Sequence, residues 1–185
     1  MIKTCVDYER YGHILALLPA YDETGECVLT MYDDRACTST PGSMRSALGR
    51  CARDFGCDIP RMRQLAKQVF GRSRQELPLA LAPYFVLVPF RYRAPRVKGD
   101  TTLAYFNFPH IYTVAPSHPA LGPCTGDAPD DAISVFLMNG QSFPVRNNYD
   151  SACAHFYEGS KAHDHLCAVI NACGPVTLDA LAAVS

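Results

Sequence analysis

Two short apolar runs, 11–21 and 27–32, are separated by Asp22-Glu-Thr-Gly25, and this pattern predicts an opening hairpin of two strands with a polar, glycine-closed turn. The periodicity then changes. Met44, Leu48, Cys51 and Phe55 recur every three to four residues, which predicts a helix with Thr40 as N-cap, Pro41 in its first turn and Gly56 at its end. Arg45, Arg50 and Arg53 fall on its opposite face. Asp58-Ile-Pro60 opens a second helix, whose apolar stripe Met62, Leu65, Ala66, Val69 and Phe70 runs to Gly71. Its polar side carries Arg61, Gln64, Lys67 and Gln68.

The next segments predict strands at 77–82 and 84–91, bent apart at Pro83, and at 101–108 and 111–114, with Pro78, Pro89 and Pro109 keeping them short. Residues 118–132 read as a Pro/Gly/Asp-rich surface loop. Runs 133–138 and 141–145 flank Asn139-Gly140, a strong short-range hairpin signal. Residues 151–172 suit one or two helices broken near Gly159, and 177–184 suit a short terminal one. The expected architecture is a single α+β domain over residues 1–185, with an antiparallel sheet, a basic helix pair in the middle and a helical carboxy-terminal part.

Composition supports an ordered chain, since 48% of residues are hydrophobic and 19% charged. No apolar stretch approaches the roughly 18 residues of a membrane span, and residues 1–10 lack the basic-then-apolar order of a secretory signal, so a cytoplasmic location is expected. Nine cysteines are an odd number, and none is paired as Cys-x-x-Cys, which points to reduced thiols.

Charge changes the picture further. The net value of −1 conceals three blocks: residues 1–42 hold three basic and seven acidic side chains, 43–98 twelve against three, and 99–185 two against eight. A basic middle inside an acidic frame is the asymmetry of a surface that meets polyanions, unless the acidic flanks fold over it as salt bridges. Ten of the twelve central cations are Arg, which suits bidentate phosphate and base-edge contacts. Two amphipathic helices joined by a glycine-containing turn add the helix-turn-helix pattern.

Catalytic signals are weaker. Cys153, His155, His163, His165 and Cys167 concentrate potential metal ligands, but on a helix His163, His165 and Cys167 diverge around the axis. No local signature marks an activated cysteine, and Gly122-Pro-Cys-Thr-Gly126 lacks the Lys and Ser/Thr of a phosphate loop. Neither an enzyme nor a cofactor is expected, and a metal or thiol protein using the 153–167 cluster ranks below the binding readings.

The runs Arg50-Cys-Ala-Arg-Asp-Phe-Gly56 and Glu76-Leu-Pro-Leu-Ala-Leu-Ala-Pro-Tyr-Phe-Val-Leu-Val-Pro-Phe-Arg91 resemble a pair of segments in the competence transcription factor ComK and its relatives. Ser134-Val-Phe-Leu-Met-Asn-Gly140 and Asn148-Tyr-Asp-Ser151 continue the likeness in the same order, over roughly residues 11–158. The chain departs from the pattern in having Pro60-Arg61 for a Gly-Arg pair and no tryptophan, and residues 159–185 lie outside it as a helical tail of unknown role. The resemblance implies a transcriptional activator of DNA-uptake genes that binds AT-rich double-stranded DNA as a homo-oligomer, controlled by an adaptor and a Clp protease.

On that reading Arg61, Arg63, Lys67, Arg72 and Arg74 contact phosphates, while Arg91, Arg93 and Arg96 reach into a narrow minor groove. A symmetric dimer on paired half-sites would supply specificity to so small a chain. The alternative is a non-enzymatic interaction module whose basic patch docks an acidic protein partner.

Overall fold

Strand β1 (Ile14–Asp22) carries apolar side chains at successive positions, as a strand covered on both faces must. In the computed structural model, which describes residues 8–23, 25–71, 76–95, 100–117 and 132–173, it lies inside a six-stranded antiparallel sheet. The order across that sheet is β3 (Cys37–Pro41), β2 (Gly25–Tyr32), β1, β6 (Leu103–Asn107), β5 (Phe85–Arg91) and β4 (Leu79–Ala82). A 3-10 turn at Phe108–His110 leads into a second, three-stranded antiparallel sheet of β7 (Ile111–Pro116), β8 (Ile133–Leu137) and β9 (Ser142–Val145). The helices are α1 (Tyr8–Gly12), α2 (Met44–Asp54), α3 (Ile59–Phe70) and α4 (Tyr149–Cys173).

Strand alternation assigns the core to two layers. Phe85, Leu87, Tyr105 and Leu17 pack with Met44, Ala47, Leu48 and Cys51 of α2 on one face. Val88, Phe90, Ala104 and Phe106 pack with Val135, Phe143 and Ala152 on the other, beneath the small sheet and α4. The bulge in β1 between Ile14 and Ala16 turns Leu15 and Ala16 to the same face, so that Ile14 and Leu17 both reach the α2 side. Asn107, fully buried, fills the gap: its Oδ1 accepts from Val86 N–H at 3.0 Å, and its Nδ2 donates to Ile14 C=O at 2.9 Å and Tyr84 C=O at 3.0 Å.

The α+β class and the antiparallel sheet agree with the sequence reading; several boundaries do not. Residues 37–41 form β3 against β2, so the cap of α2 is Ser43, whose Oγ accepts from Ser46 N–H, and not Thr40. The β-branched Thr38 and Thr40 favour the strand. Asp58 and Gly71 do cap α3, Gly71 in the left-handed conformation (φ 67°). The Asn139-Gly140 hairpin joins β8 to β9. The expected break near Gly159 is absent: α4 is one helix of 25 residues. A Cβ at Gly159 would stand 2.6 Å from Val88 Cγ2 and 2.8 Å from Phe108 Cδ2, so this glycine admits the helix to the sheet and does not interrupt it. The expected loop is described only at Ala132, and the terminal helix at 177–184 lies outside the described residues.

At the start of β1, exposed His13 Nδ1 lies 2.7 Å from Asp33 Oδ2. The hydrogen bond to Asp33 raises the imidazole pKa, and the same bond lowers that of the carboxyl. The raised His13 pKa makes its contribution to stability complete below the unfolded imidazole value and lost as pH rises through the folded one. The lowered Asp33 pKa sets the opposite edge, with the contribution lost as pH falls through the folded carboxyl value. Proton NMR should give a His13 midpoint above 6.5 that returns toward 6.5 in Asp33→Asn; an unchanged midpoint would dismiss the pairing. Gly159→Ala should cost about 1–3 kcal/mol by overpacking, more than the roughly 1 kcal/mol of helix propensity it gains, and a lower midpoint in thermal melts is the check.

Candidate nucleic-acid interface

The described members of the predicted DNA-contacting set separate into two groups. On α3, Arg61 and Lys67 are exposed, and Asp58 is engaged as the cap, its Oδ1 accepting from Arg61 N–H at 2.8 Å. At about 100° per residue, Lys67, Gln64, Gln68 and Arg61 span one arc of about 120°, and all four are exposed. Arg63 is exposed as well, and its guanidinium lies near the Tyr105 hydroxyl. Burial raises the Tyr105 pKa, and Arg63 opposes that shift.

Both described strand arginines are paired, Arg91 at the surface and Arg93 largely enclosed. Arg91 donates from Nε and Nη2 to Glu76 Oε1 at 3.2 and 3.1 Å. The other oxygen of Glu76 lies 3.5 Å from Nε2 of buried His155, whose Nδ1 is 3.7 Å from Glu158. Arg93 is 16% exposed, donates from Nε to Thr101 C=O at 2.9 Å, lies 3.5 Å from Glu26 and stacks 4.2 Å above the Tyr21 ring. This geometry makes Arg93 a clamp between the β5–β6 and β1–β2 hairpins. Arg72, Arg74 and Arg96 lie outside the described residues.

No family model, curated protein or solved structure matches the chain.

The cleanest basic face belongs to α2, whose arginines the sequence reading placed opposite the apolar stripe without assigning them a contact. Met44, Ala47, Leu48, Cys51 and Ala52 turn inward, leaving Arg45, Ser46, Gly49, Arg50 and Arg53 in an outward arc of about 140°. Among the described residues, the side chains of Arg45, Arg50 and Arg53 have no ion pair or hydrogen bond. The helix's one acid, Asp54, is taken by the Tyr11 hydroxyl beside Phe55, and burial together with this bond raises the Tyr11 pKa. Gly49 sits mid-helix, and a methyl group on its Cα would find nothing within 4 Å, although glycine there costs about 1 kcal/mol relative to alanine.

The apolar stripe of α3 is only partly covered. Ala66 is buried, but Leu65 and Val69 are 47% and 40% exposed and border a groove of about 510 Å³ shared with Pro78, Ala80, Leu166 and Val169. The cysteine and histidine cluster is spread along α4: His163 Nε2 lies 3.8 Å from Cys167 Sγ one turn away, while His155 points into the core. Among the described residues no three His, Cys, Asp or Glu side chains are placed to hold a metal ion. The thiols of Cys27, Cys37, Cys51, Cys57, Cys153 and Cys167 are free, and burial pushes that of Cys51 up to about 11.

Arg93→Ala should destabilise the domain by about 1–2 kcal/mol, because it removes stacking on Tyr21 and strands Glu26. Arg61→Ala should stay within about 0.5 kcal/mol of the parent. Equal midpoints for the two variants in urea denaturation would remove the distinction drawn between clamp and surface cation.

Proposed function

We propose that this chain binds double-stranded DNA through its central helix pair and acts as a transcriptional regulator. The observation that carries the reading is the exposed arc of Arg61, Gln64, Lys67 and Gln68 on a capped, well-positioned helix, in the segment where the chain concentrates its positive charge. Arg and Lys neutralise phosphates and release counterions, and Gln offers the paired donor and acceptor that adenine presents to match in the major groove. The ComK resemblance supports the finer form of the proposal: activation of DNA-uptake genes from AT-rich sites, as a homo-oligomer in the cytoplasm under adaptor and Clp protease control. Exposed Arg61, Arg63 and Lys67 are its proposed contacts on α3; Arg91 joins them by exchanging Glu76 for phosphate.

A second reading, an interaction module whose basic face docks an acidic protein partner, draws on Leu65 and Val69, apolar side chains exposed on the same helix. Fluorescence anisotropy of labelled AT-rich and GC-rich duplexes at two salt concentrations separates the two. Regulation of DNA requires submicromolar binding at low salt that weakens steeply as salt rises and favours the AT-rich duplex. Arg61→Ala/Lys67→Ala should lose about 10-fold or more in affinity. Absence of binding at low salt defeats the proposal and leaves the interaction module.

A further inference from the structure

We propose that the outward face of α2 is a seat for a sugar-phosphate backbone, with Arg45, Arg50 and Arg53 as its phosphate ligands and Gly49 as the point of closest approach. The inference rests on the DNA-binding reading and names a contact surface that reading does not require.

Four observations converge on this face. First, Arg45 and Arg53 are separated by about 12 Å of helix axis, at 1.5 Å per residue, with Arg50 between them. A duplex offers one phosphate per about 3.4 Å of axis along each strand, so such a row meets several phosphates of a single strand. Second, the side chains of all three arginines are unengaged among the described residues, in contrast to Arg91 and Arg93, each of which has a carboxylate partner. Third, Asp54 would weaken the face if it turned outward, but Tyr11 holds it on the aromatic side with Phe55 and Phe85. The row is therefore of one sign.

Fourth, nothing among the described residues requires a glycine at position 49. It has no positive φ, unlike Gly56 and Gly71, and a methyl group there would meet no described atom beyond its own turn of helix within 4 Å, unlike one at Gly159. Glycine is the poorest helix former after proline, and neither backbone conformation nor internal packing accounts for it here. Centred between Arg45 and Arg53 on the outward arc, it leaves a shallow saddle flanked by guanidinium groups. A backbone pressed onto the helix fits there, as glycine fits wherever a ligand must come close.

The contact supplies position and affinity without reading bases. It assigns the two helices different work: α2 anchors on phosphate while α3 presents Gln64 and Gln68 to the groove.

The test uses the full-length chain and the labelled AT-rich duplex. Arg45→Ala/Arg50→Ala/Arg53→Ala should weaken binding by about 30-fold or more at low salt and reduce the slope of log K against log salt by about 3, close to one for each phosphate left without its arginine. Gly49→Leu, which improves helix propensity, should melt no lower than the parent and yet bind about 10-fold more weakly. A parent protein that binds duplex while both variants bind equally well, with unchanged salt slope, overturns the α2 seat and leaves the DNA-binding reading standing. A parent that binds no duplex takes both down. Displacement of the duplex by polyglutamate at the same charge concentration, with equal loss in the triple variant, overturns the seat in favour of an acidic protein.

Discussion

Three hydrogen bonds from one buried amide hold the two halves of the large sheet in register. Asn107 ends β6 where β1 bulges and β5 begins, and its side chain takes a donor from Val86 and supplies two to the carbonyls of Ile14 and Tyr84. A bulge in a strand buried on both faces leaves backbone groups with neither a ladder partner nor water, at a cost of about 1–3 kcal/mol each. An asparagine is one of the few side chains that can answer an N–H and two C=O groups together. Leu15 can then join one core layer while Ile14 and Leu17 join the other, and helices can cover one face of the sheet while the small sheet and α4 cover its reverse.

Charge follows that layering. Among the described residues the acidic amino-terminal flank folds over the basic middle at Arg93, which Glu26 takes, while Arg91 is taken by Glu76, one of the middle block's own three acids. The helix pair keeps its cations turned outward because its acids are engaged in structure: Asp58 caps α3 and Asp54 meets Tyr11. The segregation visible along the chain is thus neutralised at the strands and preserved on the helices. The preserved part lies on α2 and α3, beyond the face of the sheet they cover.

Local chemistry was the legible part of the sequence. Asp58, Gly71 and Asn139-Gly140 announce caps and a turn through interactions spanning a few residues, and the structure places them accordingly. Tertiary context was not legible. Pro41 looks like a helix start, yet β2 offers residues 37–41 a ladder. Gly159 looks like a break, yet Val88 and Phe108, far off in sequence, explain it. Leu65 and Val69 share the period of a buried stripe, but the neighbouring helix leaves them at the edge of a groove. In the candidate interface, Arg93 could not be told from a surface cation until Tyr21, Glu26 and Thr101 were placed around it. The freedom of Arg45, Arg50 and Arg53 is likewise a property of their surroundings, whereas their common face was already written in their spacing.

The uninterrupted course of α4 bears on how the domain opens. Its buried positions, Ala152, His155, Glu158, Gly159 and Ala162, crowd into the first half, while residues 168–172 are exposed. A helix secured along one half has its cooperative bonds protected there and loosened toward the other end, so amide exchange should quicken progressively from the turn of Gly159 to that of Ile170. The groove beside Leu65 runs along α4 from buried Ala162 to exposed Val169, so the opening free energy of that end of the helix shapes it as much as static packing does.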